Sequence, residues 1–365
     1  MTERMTTLLE SLSKQRTDSV LITSQANVFY FSRYNSDPHE RLIAVYADHL
    51  HQPILIVPSM EQQDAQDAGW EHDIIAYQDH ENPWDMLMAH LQSHEGVPKQ
   101  IGLEFNHITM ERFNEVTRIM PQCEAVDVQD ELANLRGIKS AEEYEHLKKA
   151  AELADYGVEL GVAALKEGIS ELEVIAAIEY GLKQRGVEAM SFSTMVLFGP
   201  KAASPHGTPG SNTLKSGDMV LFDLGVIHNG YCSDISRTVA FKEINEEQKT
   251  IYDTVLNAQK NALLKSELNT SAGEIDQAAR DYITEAGYGM YFPHRIGHGL
   301  GIETHEAPSM HGENKTPLRK GMCFTIEPGI YVPEVAGVRI EDMIFMTSKG
   351  AEVLTQYPKT LQIVS

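Results

Sequence analysis

The chain has 365 residues, 42% of them hydrophobic and 23% charged, and its 30 Lys+Arg against 53 Asp+Glu leave a formal charge of −23. Such values exclude a disordered, collagen-like or disulfide-scaffold chain. The negative charge argues against nucleic-acid partners, whose binding rests on Lys and Arg neutralising phosphate, and against an anionic membrane surface.

The N-terminal residues Met1–Glu10 carry charges where a secretion signal needs an apolar stretch. No apolar run approaches the roughly 18 residues needed to span a bilayer. Three cysteines, Cys123, Cys232 and Cys323, are far apart and form no CxxC. A reducing cytoplasm is the expected location.

Thr6–Lys14 reads as a helix and Val20–Thr23 as a strand, with Ser24 as the N-cap of a second helix. Asn35–Arg41 is unusually polar between two apolar runs and reads as a loop. Leu42–Tyr46, Ile54–Val57 and Ile74–Tyr77 read as strands, followed by a helix at Pro83–Gln92 that opens on proline. Ile101–Glu104 and Ala125–Val128 are strands flanking a helix at Met110–Ile119. Alternation of this kind predicts a small α/β domain.

The pattern then changes. Ser140-Ala-Glu-Glu143 is a capping box opening a helix over 141–166 that stops at Gly168. A second box, Ser170-Glu-Leu-Glu173, opens a helix to Arg185 with Gly186 as its stop. A length beyond one core also suggests two domains, placed at 1–132 and 133–365.

The second domain resembles itself. Leu214-Lys-Ser-Gly-Asp-Met-Val-Leu-Phe-Asp-Leu-Gly225 aligns with Leu318-Arg-Lys-Gly-Met-Cys-Phe-Thr-Ile-Glu-Pro-Gly329 at a constant offset of 104 residues. Each reads as a turn feeding a buried strand that ends in an acid. A duplicated half-domain is the natural reading.

Asp223 and Glu327 close those apolar strands. An ionised carboxylate in such a setting carries a desolvation cost of several kcal/mol unless something compensates it. For a single acid, a salt bridge is the simplest compensation. Here each acid has a companion: Asp234 lies beyond the hairpin signal Asn229-Gly230, and Glu341 beyond Tyr331–Gly337. Four converging carboxylates call for cations, and two divalent ions would balance them. An imidazole ligand is sought in Pro293-His-Arg-Ile-Gly-His-Gly-Leu-Gly301 or at His305. Gly297, Gly299 and Gly301 make a helical HxxxH zinc motif at His294 and His298 unfavourable. Glycine-flanked His298 suits a strand or tight loop that lets backbone approach a bound ion. Taken alone, each histidine, including His206 in Ala203-Ser-Pro-His-Gly-Thr-Pro-Gly210, reads as an ordinary polar residue rather than a ligand. P-loop, GxGxxG, HExxH and GxSxG patterns are absent.

These residues together resemble the pita-bread metallopeptidases, and within them the Xaa-Pro dipeptidases, or prolidases. The family's Asp, Asp, His, Glu, Glu ligand set falls on Asp223, Asp234, His298, Glu327 and Glu341, in order and spacing. The resemblance implies an α/β (α+β) protein with a small N-terminal α/β domain and a duplicated pita-bread α+β catalytic domain. It implies a dinuclear centre whose metal-bridging hydroxide cleaves the bond before proline. Glu327 would be ligand and proton shuttle, and His206 and His305 would line the catalytic site and bind substrate or intermediate. An oxygen-rich set with one imidazole favours Mn²⁺, with Co²⁺ or Zn²⁺ as substitutes.

Arg295 occupies a position resembling the carboxylate-binding arginine of bacterial prolidases, and its planar fork suits a free carboxylate. His294 and Arg339 complete the expected substrate-binding set. The preferred activity is therefore that of a dipeptidase on small proline-containing peptides. The alternatives are an Xaa-Pro aminopeptidase acting on longer peptides and a non-catalytic binding protein on the same scaffold. By the same resemblance the chain is expected to be a homodimer, with Asn35–Arg41 limiting substrate length from across the interface.

Overall fold

A computed structural model of the chain describes residues 3–93 and 98–365. They fall into two compact units, Met1–Arg136 and Gly137–Ser365. The division lies four residues beyond the 132/133 boundary expected from the sequence. A short helix runs up to it.

The first unit contains α1 (Glu3–Lys14), β1 (Ser19–Ile22), α2 (Gln25–Ser32), β2 (Ala44–Asp48), β3 (Ile54–Pro58) and α3 (Gln62–Asp67). It continues with β4 (Ile74–Tyr77), α4 (Pro83–Ser93), β5 (Gln100–Leu103), α5 (Met110–Ile119), β6 (Glu124–Asp127) and α6 (Gln129–Gly137). The strands form one mixed sheet in the order β4-β3-β2-β1-β5-β6. Every strand and helix expected from the sequence in this unit is present. α3 and α6 were not expected: α3 reads Gln-Gln-Asp-Ala-Gln-Asp and buries only Ala65, so it carries no apolar period. Ser24 caps α2 as anticipated, accepting from Asn27 N at 3.3 Å. Asn35–Arg41 has no regular structure; Arg41 Nε reaches Asp79 at 2.9 Å.

The second unit begins with α7 (Ala141–Ala164) and α8 (Glu171–Gln184), both with complete capping boxes. Strands β7 (Ala189–Met190), β8 (Met195–Phe198), β9 (Met219–Leu224), β10 (Val226–His228), β11 (Tyr231–Cys232) and β12 (Ile235–Phe241) follow. A second helix pair, α9 (Glu246–Lys265) and α10 (Ala272–Glu285), is boxed in the same way by Asn245/Gln248 and Ser271/Glu274. The chain then forms β13 (Gly297–Gly299), β14 (Glu306–Met310), β15 (Cys323–Ile326), β16 (Gly329–Val332) and β17 (Ala336–Arg339). It ends with β18 (Asp342–Thr347), β19 (Gly350–Val353) and β20 (Ile363–Val364).

The duplication is visible in the backbone. Gly168 N donates to Leu214 O and Leu214 N to Ile169 O, both at 2.9 Å. In the second half Asn269 N donates to Leu318 O and Leu318 N to Thr270 O, at 2.9 and 2.8 Å. The helix caps Ser170 and Ser271 bridge to Thr213 and Pro317. Each half then runs a buried strand, β9 or β15, antiparallel to its partner, β12 or β18. Val220, Phe222 and Leu224 bury one face of β9 under α7 and α8; Phe324 and Ile326 of β15 lie in the core with α9 and α10.

Register decides where the acids go. Asp223 stands opposite Ser236, so Asp234 is its diagonal neighbour on the same face. In β15–β18, Ile326 stands opposite Asp342, so the next step brings Glu327 level with Glu341. Both expected hairpins exist. Asn229 and Gly230 take φ of 49° and 81°, the pairing of a type I′ turn, and Val332 pairs with Ala336 across the second hairpin. His298 lies on a strand, as its flanking glycines suggested, and those glycines also let neighbouring backbone come close. A Cβ at Gly297 would lie 2.0 Å from Thr325 O, and one at Gly299 2.1 Å from Ala307 O. They admit neighbouring strands, and the close approach of strands is what fixes His298.

Candidate metal centre

A cavity of about 540 Å³ opens in the second unit. All ten residues singled out from the sequence line it: His206, Asp223, Asp234, His294, Arg295, His298, His305, Glu327, Arg339 and Glu341.

Asp234, His298 and Glu341 are all buried, with one ligand atom of each lying within 4.8 Å of the others. His298 Nε2 is 3.6 Å from Asp234 Oδ2 and 3.4 Å from Glu327 Oε1. Its Nδ1 sits 3.1 Å from Gly299 O, an arrangement that puts the proton on Nδ1. Burial, reinforced by His305, pulls the His298 pKa down to about 3, so the ring is neutral and the Nε2 lone pair faces carboxylate oxygens. Thr325 Oγ1 accepts from His298 N at 3.1 Å and lies 3.4 Å from Glu327 Oε1, joining the two side chains.

The acids crowd one another. Burial first, then neighbouring carboxylates, holds Asp234 and Glu327 well above the usual carboxylate range. The same causes raise Glu341 to about 7. Asp223 Oδ1 is buried without a hydrogen-bond partner, although Oδ2 accepts from Arg339. A buried lone pair on Nε2, an unpartnered Asp223 oxygen and mutually repelling acids share one remedy, a cation. The donor set of oxygens and one imidazole fits hard divalent ions.

Supports extend outward. Ser236 Oγ donates to Glu341 Oε2 at 2.7 Å and accepts from Arg339 Nε at 2.8 Å. Arg339 also donates through Nη1 to Tyr331 Oη at 3.0 Å and to Pro205 O at 3.3 Å. Every nitrogen of Arg339, expected to bind substrate, thus donates within the protein. The relay continues from Tyr331 Oη to His294 Nε2 at 3.0 Å, and His294 Nδ1 meets Arg295 O at 2.8 Å. Burial lowers the His294 pKa to about 4, so this ring is a neutral link. Arg295 is steadied by Ser309 Oγ at 2.8 Å. Ser236, Thr325 and Tyr331 were not singled out from the sequence. Ser236 and Thr325 had a signal, since each lies two residues from a proposed ligand and points to the same face.

Behind Glu341 lies a second buried network. Arg237 Nη2 meets Asp342 Oδ1 at 2.7 Å, and Arg237 Nη1 also donates to Glu341 O. Gln259 and Thr355 donate to Asp342 at 2.7 and 2.9 Å, and Lys359 pairs with it. Replacing Arg237 with Met removes one of the two cations paired with Asp342 while Lys359, Gln259 and Thr355 remain, and is expected to cost about 1.5–3 kcal/mol in urea unfolding, the contribution of a hydrogen bond to a charged group. A loss below about 1 kcal/mol would contradict this reading.

Buried carboxylates gathered around a neutral imidazole at the wall of a substrate-sized cavity suit a metal-dependent hydrolase. The chain belongs to metallopeptidase family M24, whose model matches residues 145–348, and the creatinase/prolidase N-terminal domain model matches residues 4–138. Enzymes of this family use divalent metals. The chain is 51% identical over 346 residues to a Bacillus subtilis (strain 168) protein named "Putative dipeptidase YkvY", covering 95% of each. Among solved structures it is similar to the prolidase from Pyrococcus horikoshii OT3, with TM-score 0.91, 35% identity and coverage of 99% of this chain and 100% of that one. It is likewise similar to an Xaa-Pro dipeptidase from Bacillus anthracis, with TM-score 0.92, 32% identity and 99% coverage of both. The fold is the pita-bread fold with its N-terminal α/β domain.

Proposed function

We propose that the chain hydrolyses Xaa-Pro dipeptides at a centre of two divalent ions held by Asp223, Asp234, His298, Glu327 and Glu341. The observation that carries this is the placement of His298 Nε2 against Asp234 and Glu327 in the cavity that Arg295 also lines. Mn²⁺ suits the oxygen-rich set, with Co²⁺ or Zn²⁺ as substitutes. Such ions supply water activation at neutral pH and polarisation of the scissile carbonyl.

The protein does the rest. The Glu327 carboxylate takes a proton from the attacking water and passes it to the leaving proline nitrogen. His206 and His305 flank the carbonyl and hydrogen-bond the developing oxyanion. Burial, with Arg295 and His206 nearby, lowers the His305 pKa, which keeps that ring neutral near pH 7. Arg295, held at one end by Ser309, pairs with the free carboxylate of the proline. The His294–Tyr331–Arg339 relay fixes the backbone from which Arg295 projects.

No helix among the described residues is long and apolar enough to cross a membrane, and none of the three cysteines is in a disulfide. Both observations agree with a cytoplasmic enzyme. A homodimer in which Asn35–Arg41 limits substrate length completes the proposal; a monomer in light scattering at assay concentration would remove that part.

Arg295 separates dipeptidase from aminopeptidase. Arg295→Ala is expected to raise KM for Xaa-Pro dipeptides by roughly 100-fold, the equivalent of one charged hydrogen-bonded pair, with a much smaller effect on Xaa-Pro-Yaa. Equal changes on the two substrates would favour the aminopeptidase reading.

A further inference from the structure

We infer that Glu171 is a positioning residue for His206, clamping both ends of the loop that carries this imidazole into the cavity. The inference rests on the role proposed above for His206.

Glu171 is the first residue of α8 and is fully buried. Its carboxylate accepts from Phe198 N at 3.1 Å and from Lys201 Nζ at 2.6 Å, where the loop leaves β8. It also accepts from Gly210 N at 2.7 Å, where the loop returns. His206 lies between these points. The exit has backbone ties of its own, since Glu171 N donates to Asn212 O at 3.1 Å. At the entry, the Glu171 side chain supplies the acceptor for Phe198 N and the counter-charge for Lys201.

The internal duplication shows that the helix does not need this acid. The residue after the N-cap of α10, equivalent to Glu171, is Ala272, also fully buried. In that half the chain beyond β13 is held by sheet pairing: Gly297 pairs with Met310 and His298 with Ser309. The first half has no strand in residues 199–218, and a 3₁₀ turn at Gly199–Ala203 follows β8 instead. Glu171 therefore does by side chain what β14 does by backbone. Downstream, Arg339 Nη1 meets Pro205 O, so a clamped loop is also in register with the residue that holds Asp223.

The test compares His206→Ala, Glu171→Gln and the double variant in the metal-loaded enzyme on an Xaa-Pro dipeptide. Metal content and trypsin cleavage at Lys201 are measured alongside. Glu171→Gln is expected to lower kcat at least tenfold with little change in KM, to retain the metal content of the parent protein and to expose Lys201 to trypsin. Added to His206→Ala, it should cost less than a further threefold, because the two act as a unit. Full additivity, or a loss explained by lost metal, would overturn the proposal. So would an unchanged kcat in Glu171→Gln alongside a slow His206→Ala. If His206→Ala itself is as fast as the parent, the fault lies in the role given to His206. Should Glu171→Gln not fold, Lys201→Met removes only the cation from the clamp and must show the same non-additivity.

Discussion

Glu327→Gln is expected to lower kcat on Xaa-Pro dipeptides by about 10³-fold, within the range that general acid–base groups contribute. The amide keeps an oxygen toward the cavity but can no longer take a proton from water and return it to a leaving amine. Stability should move the other way. Glu327 is held far above the usual carboxylate range by burial and by Glu341, with Asp223 adding to it. A neutral amide relieves that repulsion, so metal-stripped Glu327→Gln should unfold at a higher urea concentration than the metal-stripped parent. Activity lost and stability gained by one substitution is what a functional group kept at a structural cost produces. A kcat within tenfold of the parent would remove Glu327 from the proton path.

Metal removal should make the protein's stability depend on pH in an unusual sense. Glu341 has a pKa of about 7 in the fold against an ordinary value of 4.5. Between these values the folded chain retains a proton that the unfolded chain has released. Stability contributed by that proton is complete below about 4.5 and is lost as pH rises through about 7. The slope is at most ~1.4 kcal/mol per pH unit for one group. Asp234 and Glu327 are shifted in the same direction and add to it. Chelator-treated protein should therefore weaken from mildly acidic to neutral pH, where many proteins gain or hold stability. Divalent ion at 1,000 times its dissociation constant should return about 4 kcal/mol at neutral pH. Urea midpoints across this range, with EDTA and with Mn²⁺, measure both effects. A flat or rising midpoint in EDTA would contradict the crowded-acid reading.

What could be read in the sequence followed from periodicity and from misplaced charge. The strands of the first unit were legible because each is a short apolar run between turn residues. The helices α7 and α8 were legible because Ser140/Glu143 and Ser170/Glu173 announce them. α3 was not, since a short polar helix that buries only Ala65 has no apolar face to betray it, and α6 offers only Leu132, Ala133 and Leu135 in nine residues. The four acids were singled out because Asp223 and Glu327 end apolar strands and each has a companion in the internal repeat; His298 was separated from the neighbouring histidines only by the resemblance to the prolidases. The supports were harder to find. Arg339 entered the expected substrate-binding set through the resemblance to the prolidases. Only the fold shows its donors engaged by Asp223, Ser236, Tyr331 and Pro205. Glu171 looked like one acid among several at the start of a helix. Its role depends on a loop that returns some forty residues later, which no local pattern encodes. The glycines around His298 were legible as a requirement for close approach, but that the Thr325 and Ala307 backbone is among what approaches needed the sheet pairing to be seen.

The central claim is best tested by adding Mn²⁺ to the metal-stripped protein while following bound metal and the hydrolysis of Xaa-Pro and Xaa-Pro-Yaa side by side. The account predicts two ions bound per chain, turnover that appears only with metal, and strong preference for the dipeptide. Undiminished turnover in the stripped protein, no metal bound, or faster cleavage of the tripeptide would contradict it.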